Sequence, residues 1–327
     1  MSMHPAQALF YLTLFTSVAI TTSSNSWFIA WLGLELNLLA FIPLTLNKKN
    51  KYSVESALKY FLIQSVSSVF IIMASSMGAG HDFSIVLLLM LLMKSGAAPS
   101  HQWMPAMVDG LSWPIFTVLM TLQKTNPLIM IFFLSKTAFI YWITIGYILM
   151  SALIGALGGL TQTSMRKIIA YSSIAHLAWM LAALMHTSWL WTSYFIVYTF
   201  VIMSVTLLLH HTQTSTLNHV AIANKSYLAL ITAVSILSLG GLPPFTGFLC
   251  KLLVVQYLVS TPENFILAPL LASAYISLFF YARVLLASLI LASSSQGLLT
   301  KFKFTNSSLL IANMVALLAP TIAVVLL

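Results

Sequence analysis

The chain has 327 residues, of which 60% are hydrophobic and only 6% are charged, and its formal net charge is +9. An ordinary soluble domain carries about 25% charged residues, so this composition excludes a soluble globular protein. The single cysteine, Cys250, excludes an internal disulfide and any cysteine-ligated zinc or iron–sulfur site contributed by this chain alone.

Apolar segments long enough to cross a membrane follow one another along the chain. A transmembrane helix needs about 20 predominantly apolar residues. The predicted spans are residues 5–22, 26–46, 54–78, 83–108, 113–134, 138–161, 167–187, 190–211, 226–258, 264–292 and 308–326. The sequence therefore predicts an all-α polytopic membrane protein with about eleven transmembrane helices.

Local signals refine several of these spans. In the third, Ser53 is a candidate helix cap, and Glu55 with Lys59 forms a candidate pair one turn apart. Helix-breaking residues interrupt the fourth span between Gly96 and Pro105, the fifth at Pro127, and the ninth at the segment Gly-Gly-Leu-Pro-Pro, residues 240–244. In transporters, broken helices at membrane depth mark functional sites near the midplane.

The two glycine-containing breaks, in spans four and nine, lie five spans apart. Because five is an odd number, two five-helix repeats with this offset would have opposite orientations in the membrane. We therefore predict two inverted repeats, residues 1–135 and 136–292, followed by one extra C-terminal helix within 293–327.

Basic loop residues indicate the orientation of the chain. Loops after even-numbered spans carry eight of them: Lys48, Lys49, Lys51, Arg166, Lys167, Lys225, Lys301 and Lys303. Loops after odd-numbered spans carry one, Lys136. This asymmetry places the N-terminus on the positive side and the C-terminus on the opposite side, and it explains the basic charge better than nucleic-acid binding does.

Four charged residues remain inside the predicted spans: Glu35, Lys94, Lys124 and Lys251, with Arg283 either deep in the tenth span or close enough to its end to snorkel. A basic side chain at a helix centre costs about 2.5–3.5 kcal/mol, so four uncompensated ones would cost about 10 kcal/mol. That cost is comparable to the stability of a whole domain, about 5–15 kcal/mol. Pairing, hydration or deprotonation must therefore compensate these charges.

Two interpretations of the buried charges stay open. Glu35 and one lysine could form a structural ion pair between helices, but one carboxylate does not account for three lysines. Burial disfavours the charged form of a lysine and a nearby carboxylate favours it, so such lysines can gain and lose protons and form a relay. His101 and His176 could relay protons too, or only form hydrogen bonds between helices.

Five segments resemble one family and occur in its order along almost the whole chain. They are residues 27–43 (WFIAWLGLELNLLAFIP), 94–105 (KSGAAPSHQWMP), 122–127 (LQKTNP), 170–179 (AYSSIAHLAW) and 240–251 (GGLPPFTGFLCK). The family is that of the antiporter-like membrane subunits of respiratory complex I. The length and the span count resemble the animal mitochondrial form, which lacks three N-terminal helices of its bacterial counterparts.

The resemblance implies a role for each buried charge. Glu35 would be the acid of the family's glutamate–lysine pair, and Lys94 its partner on the first broken helix. Lys124 would be the central connecting lysine, and Lys251 the lysine on the second broken helix, facing the next antiporter-like subunit. The chain itself would bind no cofactor and no metal, because flavin, iron–sulfur clusters, NADH and ubiquinone belong to other subunits.

The resulting hypothesis is a proton-translocating subunit of complex I in the mitochondrial inner membrane. Its N-terminus would face the matrix and its C-terminus the intermembrane space. Its partners would be other membrane-arm subunits and lipids, with no nucleic acid. A stand-alone cation/proton antiporter and a structural scaffold with permanently paired charges are the alternatives.

Overall fold

The secondary structure of the described residues is helical, apart from an isolated bridge between Ser164 and Thr216. The structure, a computed structural model, describes residues 5–46, 50–76, 81–134, 138–217, 226–243, 245–262 and 264–294. Its α-helices are α1 (Pro5–Ser23), α2 (Trp27–Thr45), α3 (Lys51–Ser76), α4 (His81–Ser95), α5 (Trp103–Met107), α6 (Trp113–Met120), α7 (Leu122–Leu134), α8 (Ala138–Leu160), α9 (Met165–His186), α10 (Ser188–Thr212), α11 (Ser226–Gly240), α12 (Thr246–Val259) and α13 (Leu267–Ser294). The predicted all-α class is confirmed.

The helices follow the predicted spans closely. Within the described ranges, eight helical segments are long and apolar enough to cross a membrane, and they correspond to predicted spans one to three, five to eight and ten. The fourth and ninth spans are each divided into two shorter helices, α4 with α5 and α11 with α12. The eleventh span, residues 308–326, lies outside the described residues, so the count of eleven and the two inverted repeats stay predictions.

The chain divides between Ser151 and Ala152, within α8, into two compact units. In the first unit, α1 packs on α2, α2 on α3, α3 on α4, and α4 on α7. Large apolar side chains such as Leu12, Phe15 and Leu58 remain exposed on its surface. This surface suits hydrocarbon rather than water, as expected of a membrane protein.

Helix α9 forms the centre of the second unit. It contacts α10, α12 and α13, and from Ile168 to Leu184 all but one of its side chains are buried. A helix whose side chains are buried on nearly all sides is surrounded by protein rather than by lipid. The polar residues Ser172 and His176 on α9 are therefore held in the interior of this unit.

Arg283 on α13 forms hydrogen bonds at the C-terminal end of α8. Its guanidinium donates to the carbonyl oxygens of Leu160 at 2.7 Å and Gln162 at 2.6 Å. The last carbonyls of a helix lack intrahelical partners and carry partial negative charge, so a cation there is favourable. This contact answers the question that the sequence left open: Arg283 compensates its charge at a helix end.

The start of α3 differs from the prediction. The helix begins at Lys51, and the side chain of Asn50 accepts the backbone N–H of Tyr52 at 3.0 Å, so Asn50 is the cap. Ser53 lies inside the helix and donates its hydroxyl to the Asn50 carbonyl at 2.6 Å. The predicted pair is confirmed, with Lys59 Nζ lying 2.6 Å from Glu55 Oε1.

The predicted interruption at Pro127 is wrong in position. Pro127 lies inside α7, and the discontinuity falls at Thr121, whose φ of −113° and ψ of −83° separate α6 from α7. A proline has no N–H and crowds the carbonyl four residues earlier, here that of Gln123. Thr121 lies six residues before Pro127, outside the turn that the ring crowds, and α7 stays helical across the proline.

A close contact between α8 and α9 gives a test of the fold. A Cβ atom at Gly155 would lie 2.5 Å from the backbone N of Ala175. Gly155→Ala is expected to lower the free energy of unfolding by about 1–3 kcal/mol, the usual cost of overpacking. The measurement is denaturation of the purified protein in detergent micelles, followed by circular dichroism.

Gly146→Ala is the matched control in the same helix. Among the described residues, no atom outside the local backbone lies within 4 Å of a Cβ at Gly146. This variant should gain about 0.5–1 kcal/mol, because alanine favours a helix more than glycine does. Equal stability of the two variants would contradict the contact between α8 and α9.

Candidate functional site

Lys94 lies in the last turn of α4, directly before the first break. The helix ends in a Schellman motif, in which the N–H of Gly96 donates to the Met93 carbonyl at 3.2 Å and the N–H of Ala97 to the Leu92 carbonyl at 3.0 Å. Gly96 has the left-handed φ of +78° that this motif requires. The break that the sequence predicted is therefore present, and the Schellman motif fixes the end of α4 in one conformation.

The ammonium group of Lys94 is buried against α3. Only 5% of Lys94 is exposed, and its Nζ donates to the backbone carbonyl of Gln64 at 3.2 Å. In return, Gln64 Nε2 donates to the Lys94 carbonyl at 3.3 Å. Because Lys94 lies in the last helical turn, the partial negative charge of the helix end also favours its cation.

Glu35 acts on this site through space. It is half-buried on α2, and its carboxylate lies within Coulombic range of both the Lys94 ammonium and the Tyr60 phenol. Although Glu35 and Lys94 are both described, no ion pair within 4.0 Å joins them. The structure therefore brings the predicted pair together as interacting charges, while a neutral carbonyl makes the direct contact with Lys94.

The third lysine, Lys124, lies near the start of α7, a helix that packs on α4. It is 2% exposed, and its backbone N–H donates to the Thr121 carbonyl at 3.0 Å. His101 lies within the first break, where its Nδ1 is 3.1 Å from the Pro99 carbonyl. Both side chains are buried, as expected for groups enclosed by protein at membrane depth.

A tyrosine that the charge pattern of the sequence does not indicate lies next to these charges. Tyr60 on α3 is 2% exposed and donates its hydroxyl to Gln123 Oε1 at 2.7 Å, and Gln123 directly precedes Lys124. Its ring packs against Phe41 and Trp103, with centroid distances of 4.9 Å and 6.0 Å. Tyr60 thus connects α3 to the helix that carries Lys124.

A periodic signal could have identified this residue. The buried face of α3 is mainly polar, with Ser53, Ser56, Tyr60, Gln64 and Ser67 at helical spacing. In a membrane helix, a polar stripe faces protein or water while the apolar side faces lipid. Such a stripe is visible in the sequence as a periodicity of polar residues, although it contains no full charge.

The second break holds Lys251. Helix α11 ends at Gly240, Gly241 has a left-handed φ of +76°, and α12 begins at Thr246. Lys251 on α12 is 8% exposed and donates its Nζ to the Gly240 carbonyl at 2.7 Å. Its Nζ also lies 5.9 Å from the ring centroid of Trp179, a favourable position for a cation. The predicted break is present, and Lys251 binds the carbonyl end of the first half-helix.

His176 connects three helices of the second unit. Its Nδ1 lies 2.8 Å from the hydroxyl of Tyr194 on α10, and its Nε2 lies 3.1 Å from the carbonyl of Leu239, next to the end of α11. A carbonyl can only accept a hydrogen bond, so Nε2 carries the proton. In the neutral ring, Nδ1 then accepts the proton of the Tyr194 hydroxyl.

Two small cavities meet at His176. Each has a volume of about 10 Å³, close to the space that one water molecule requires. One is lined by His176 together with Lys251, Ser172 and Tyr281. The other is lined by His176 together with Tyr194, Tyr198 and Cys250. His176 therefore lines two water-sized spaces, and Lys251 lines one of them as well.

No arrangement suited to a metal ion is found in the described ranges. There, no group of three or more His, Cys, Asp or Glu side chains is placed to hold one. The buried amines, carboxylate, imidazole and hydroxyl groups of this site can gain and lose protons or pass them along hydrogen bonds.

Comparisons with known proteins agree on one family. A sequence profile described as NADH:quinone oxidoreductase/Mrp antiporter, transmembrane, matches residues 24–81 and 79–277. NADH-ubiquinone oxidoreductase chain 2 of Anopheles gambiae is 40% identical over 91% of this chain and 90% of its own length. The protein of the same name from Aedes aegypti is 38% identical, over 92% of this chain and 91% of its own length.

A solved structure shares the fold. A chain of respiratory complex I from Thermus thermophilus with bound aureothin superposes with a TM-score of 0.84 at 23% sequence identity. The match covers 98% of this chain and 79% of that one. At this level of identity, the likeness establishes the architecture of the helices.

The contacts of His176 predict its tautomer. The imidazole ¹⁵N chemical shifts of the purified protein should show a proton on Nε2, because the Leu239 carbonyl faces that nitrogen. Tyr194→Phe removes the donor to Nδ1 and should shift the Nδ1 resonance while Nε2 stays protonated. A neutral ring protonated at Nδ1 instead would contradict this geometry.

Proposed function

The chain belongs to the NADH:quinone oxidoreductase/Mrp antiporter family, among the relatives named NADH-ubiquinone oxidoreductase chain 2, and from this premise we propose that it is a core membrane subunit of respiratory complex I. It translocates protons, driven by electron transfer from NADH to ubiquinone in other subunits. It is thus part of a proton-translocating NADH:ubiquinone reductase and contains no redox centre of its own.

The proposed setting is the mitochondrial inner membrane. The chain crosses it many times, with the N-terminus in the matrix and the C-terminus in the intermembrane space, in agreement with the basic loop residues. NADH, FMN, iron–sulfur clusters and ubiquinone bind other subunits. A mainly apolar cavity of about 450 Å³ beside the second break, partly lined by Lys251, supports contact with a neighbouring antiporter-like subunit or with lipid there.

The proposed mechanism is a relay of protons between buried groups. Glu35 and Lys94 form its electrostatic input, Lys124 on the neighbouring helix its centre, and Lys251 its far end. His101 and His176 support the transfer near the two breaks. When the interaction between Glu35 and Lys94 changes, the affinity of Lys94 for its proton changes with it, and the proton is driven toward Lys124 and Lys251.

A change in the Glu35–Lys94 interaction energy is large enough to drive the transfer of one proton against the membrane potential. Moving one charge against about 100 mV requires about 2.3 kcal/mol. At an effective dielectric constant of about 20, two opposite unit charges attract by about 4 kcal/mol at 4 Å and by about half of that at 8 Å. A shift of a few ångströms between Glu35 and Lys94 therefore supplies about the energy of one transfer.

The observation that carries this proposal is how the buried lysines are bound. Lys94, Lys124 and Lys251 are 2–8% exposed, and the Nζ atoms of Lys94 and Lys251 donate to neutral backbone carbonyls. A scaffold with permanently paired charges would place a carboxylate in contact with each ammonium group. An amine held by a carbonyl keeps its position yet can still release its proton.

Neutral variants of the charged residues test the relay. Glu35→Gln and Lys124→Gln in the assembled complex should lower the number of protons translocated per NADH oxidised in sealed vesicles. Loss of at least about 1.4 kcal/mol of electrostatic driving energy corresponds to at least tenfold slower transfer through this subunit. Electron transfer in uncoupled vesicles reports assembly separately.

Lys59→Gln is the matched control, because Lys59 pairs with Glu55 at an exposed position on α3. It should leave the proton ratio unchanged. An undiminished ratio in both Glu35→Gln and Lys124→Gln would overturn the proposed relay. Sodium-dependent transport by the protein alone in liposomes would instead favour the cation/proton antiporter.

A further inference from the structure

We infer that Tyr60 is a further positioning residue of this subunit, whose hydroxyl holds Gln123 and so links the Glu35 and Lys94 charges to the helix start that carries Lys124. The inference rests on the proposed proton relay. It assigns a role to a residue that carries no charge at neutral pH and that neither the helix breaks nor the charge pattern indicates.

The first support is the position of Tyr60 on α3. Tyr60 and Gln64 are one helical turn apart on the same face, so their side chains are neighbours. Gln64 contacts Lys94 twice, through its backbone carbonyl and its amide, while Tyr60 contacts Gln123 on α7. One short section of α3 therefore contacts both the helix of Lys94 and the helix of Lys124.

The second support is how Gln123 is held. Its Oε1 accepts the Tyr60 hydroxyl at 2.7 Å, and its buried Nε2 has no acceptor in the described part of the chain. Tyr60 is thus the side chain that fixes the orientation of the Gln123 amide. Because Gln123 and Lys124 are consecutive in the first turn of α7, this contact also restrains the turn from which Lys124 projects.

The third support is electrostatic. The Glu35 carboxylate lies within Coulombic range of the Tyr60 phenol as well as of Lys94. A hydroxyl group can rotate, and a change in the charges around it alters how strongly it donates toward Gln123. The Tyr60–Gln123 bond is therefore a physical connection through which a change at Glu35 and Lys94 reaches α7.

The ring and the hydroxyl of Tyr60 have separable roles. A phenylalanine at this position would keep the packing against Phe41 and Trp103. Tyr60→Phe therefore removes the contact with Gln123 and leaves the helix packing in place. In the assembled complex, it should slow coupled proton transfer through this subunit about three- to tenfold, which lowers the protons translocated per NADH oxidised. The thermal midpoint of the complex and uncoupled electron transfer should stay unchanged.

A double-mutant cycle separates a positioning role from a packing role. Gln123→Leu removes the acceptor, so the combination of Tyr60→Phe with Gln123→Leu should lower the proton ratio no further than either single variant. Tyr52→Phe is the matched control on the same helix, because Tyr52 is 72% exposed, and it should have no effect.

The outcomes distinguish this inference from the proposed function. If Lys124→Gln lowers the proton ratio while Tyr60→Phe leaves it unchanged, the role of Tyr60 is wrong and the relay stands. If Glu35→Gln, Lys124→Gln and Tyr60→Phe all leave the ratio unchanged, the relay itself is wrong. Additive effects of Tyr60→Phe and Gln123→Leu would also overturn the inference, because they would show that the two side chains act independently.

Discussion

Keeping an ammonium group inside the hydrocarbon of a membrane is the constraint on which the described structure depends. Each such group costs several kcal/mol unless the protein supplies oxygen acceptors and opposite partial charge. Both helix breaks supply the partial charge, and the second also supplies the acceptor. Lys94 lies in the last turn of α4 and binds a carbonyl of α3, and Lys251 binds the last carbonyl of α11. Each break stabilises its lysine, because it places the negative end of a helix dipole beside the ammonium group.

The two breaks stabilise their buried ammonium groups in different ways. Lys94 belongs to the half-helix that ends at the break, whereas Lys251 belongs to the half-helix that begins after it. Lys94 has the carboxylate of Glu35 within Coulombic range, and Lys251 has the ring of Trp179 and a water-sized cavity that it shares with His176. The first site is therefore suited to respond to a charge, and the second to exchange a proton with a neighbouring group.

Much of this arrangement follows from the sequence, because its signals are local and strong. A lysine within an apolar segment, followed by glycine and proline, predicts both the buried charge and the break, as at Lys94 and Gly96. Signals at the level of single turns are weaker. Asn50 caps α3 where Ser53 was expected, and the break expected at Pro127 lies six residues earlier, at Thr121.

Contacts between distant residues could not be predicted in this way. Tyr60 and Gln123 are 63 positions apart, as are His176 and Leu239, and no periodicity specifies which helices meet. Even the predicted pair of Glu35 and Lys94 lacks a direct ion pair, because the Gln64 carbonyl contacts Lys94 instead. The sequence thus predicts which side chains are buried and charged, while tertiary packing decides which neutral groups hold them.

The most direct test of this account is a structure of the assembled complex in lipid, at a resolution that shows ordered water. The account predicts water within hydrogen-bond distance of the Nζ atoms of Lys94, Lys124 and Lys251, joining them into a path along which protons can move. Dry surroundings at all three, with a carboxylate in contact with each ammonium group, would contradict it and would identify the lysines as structural.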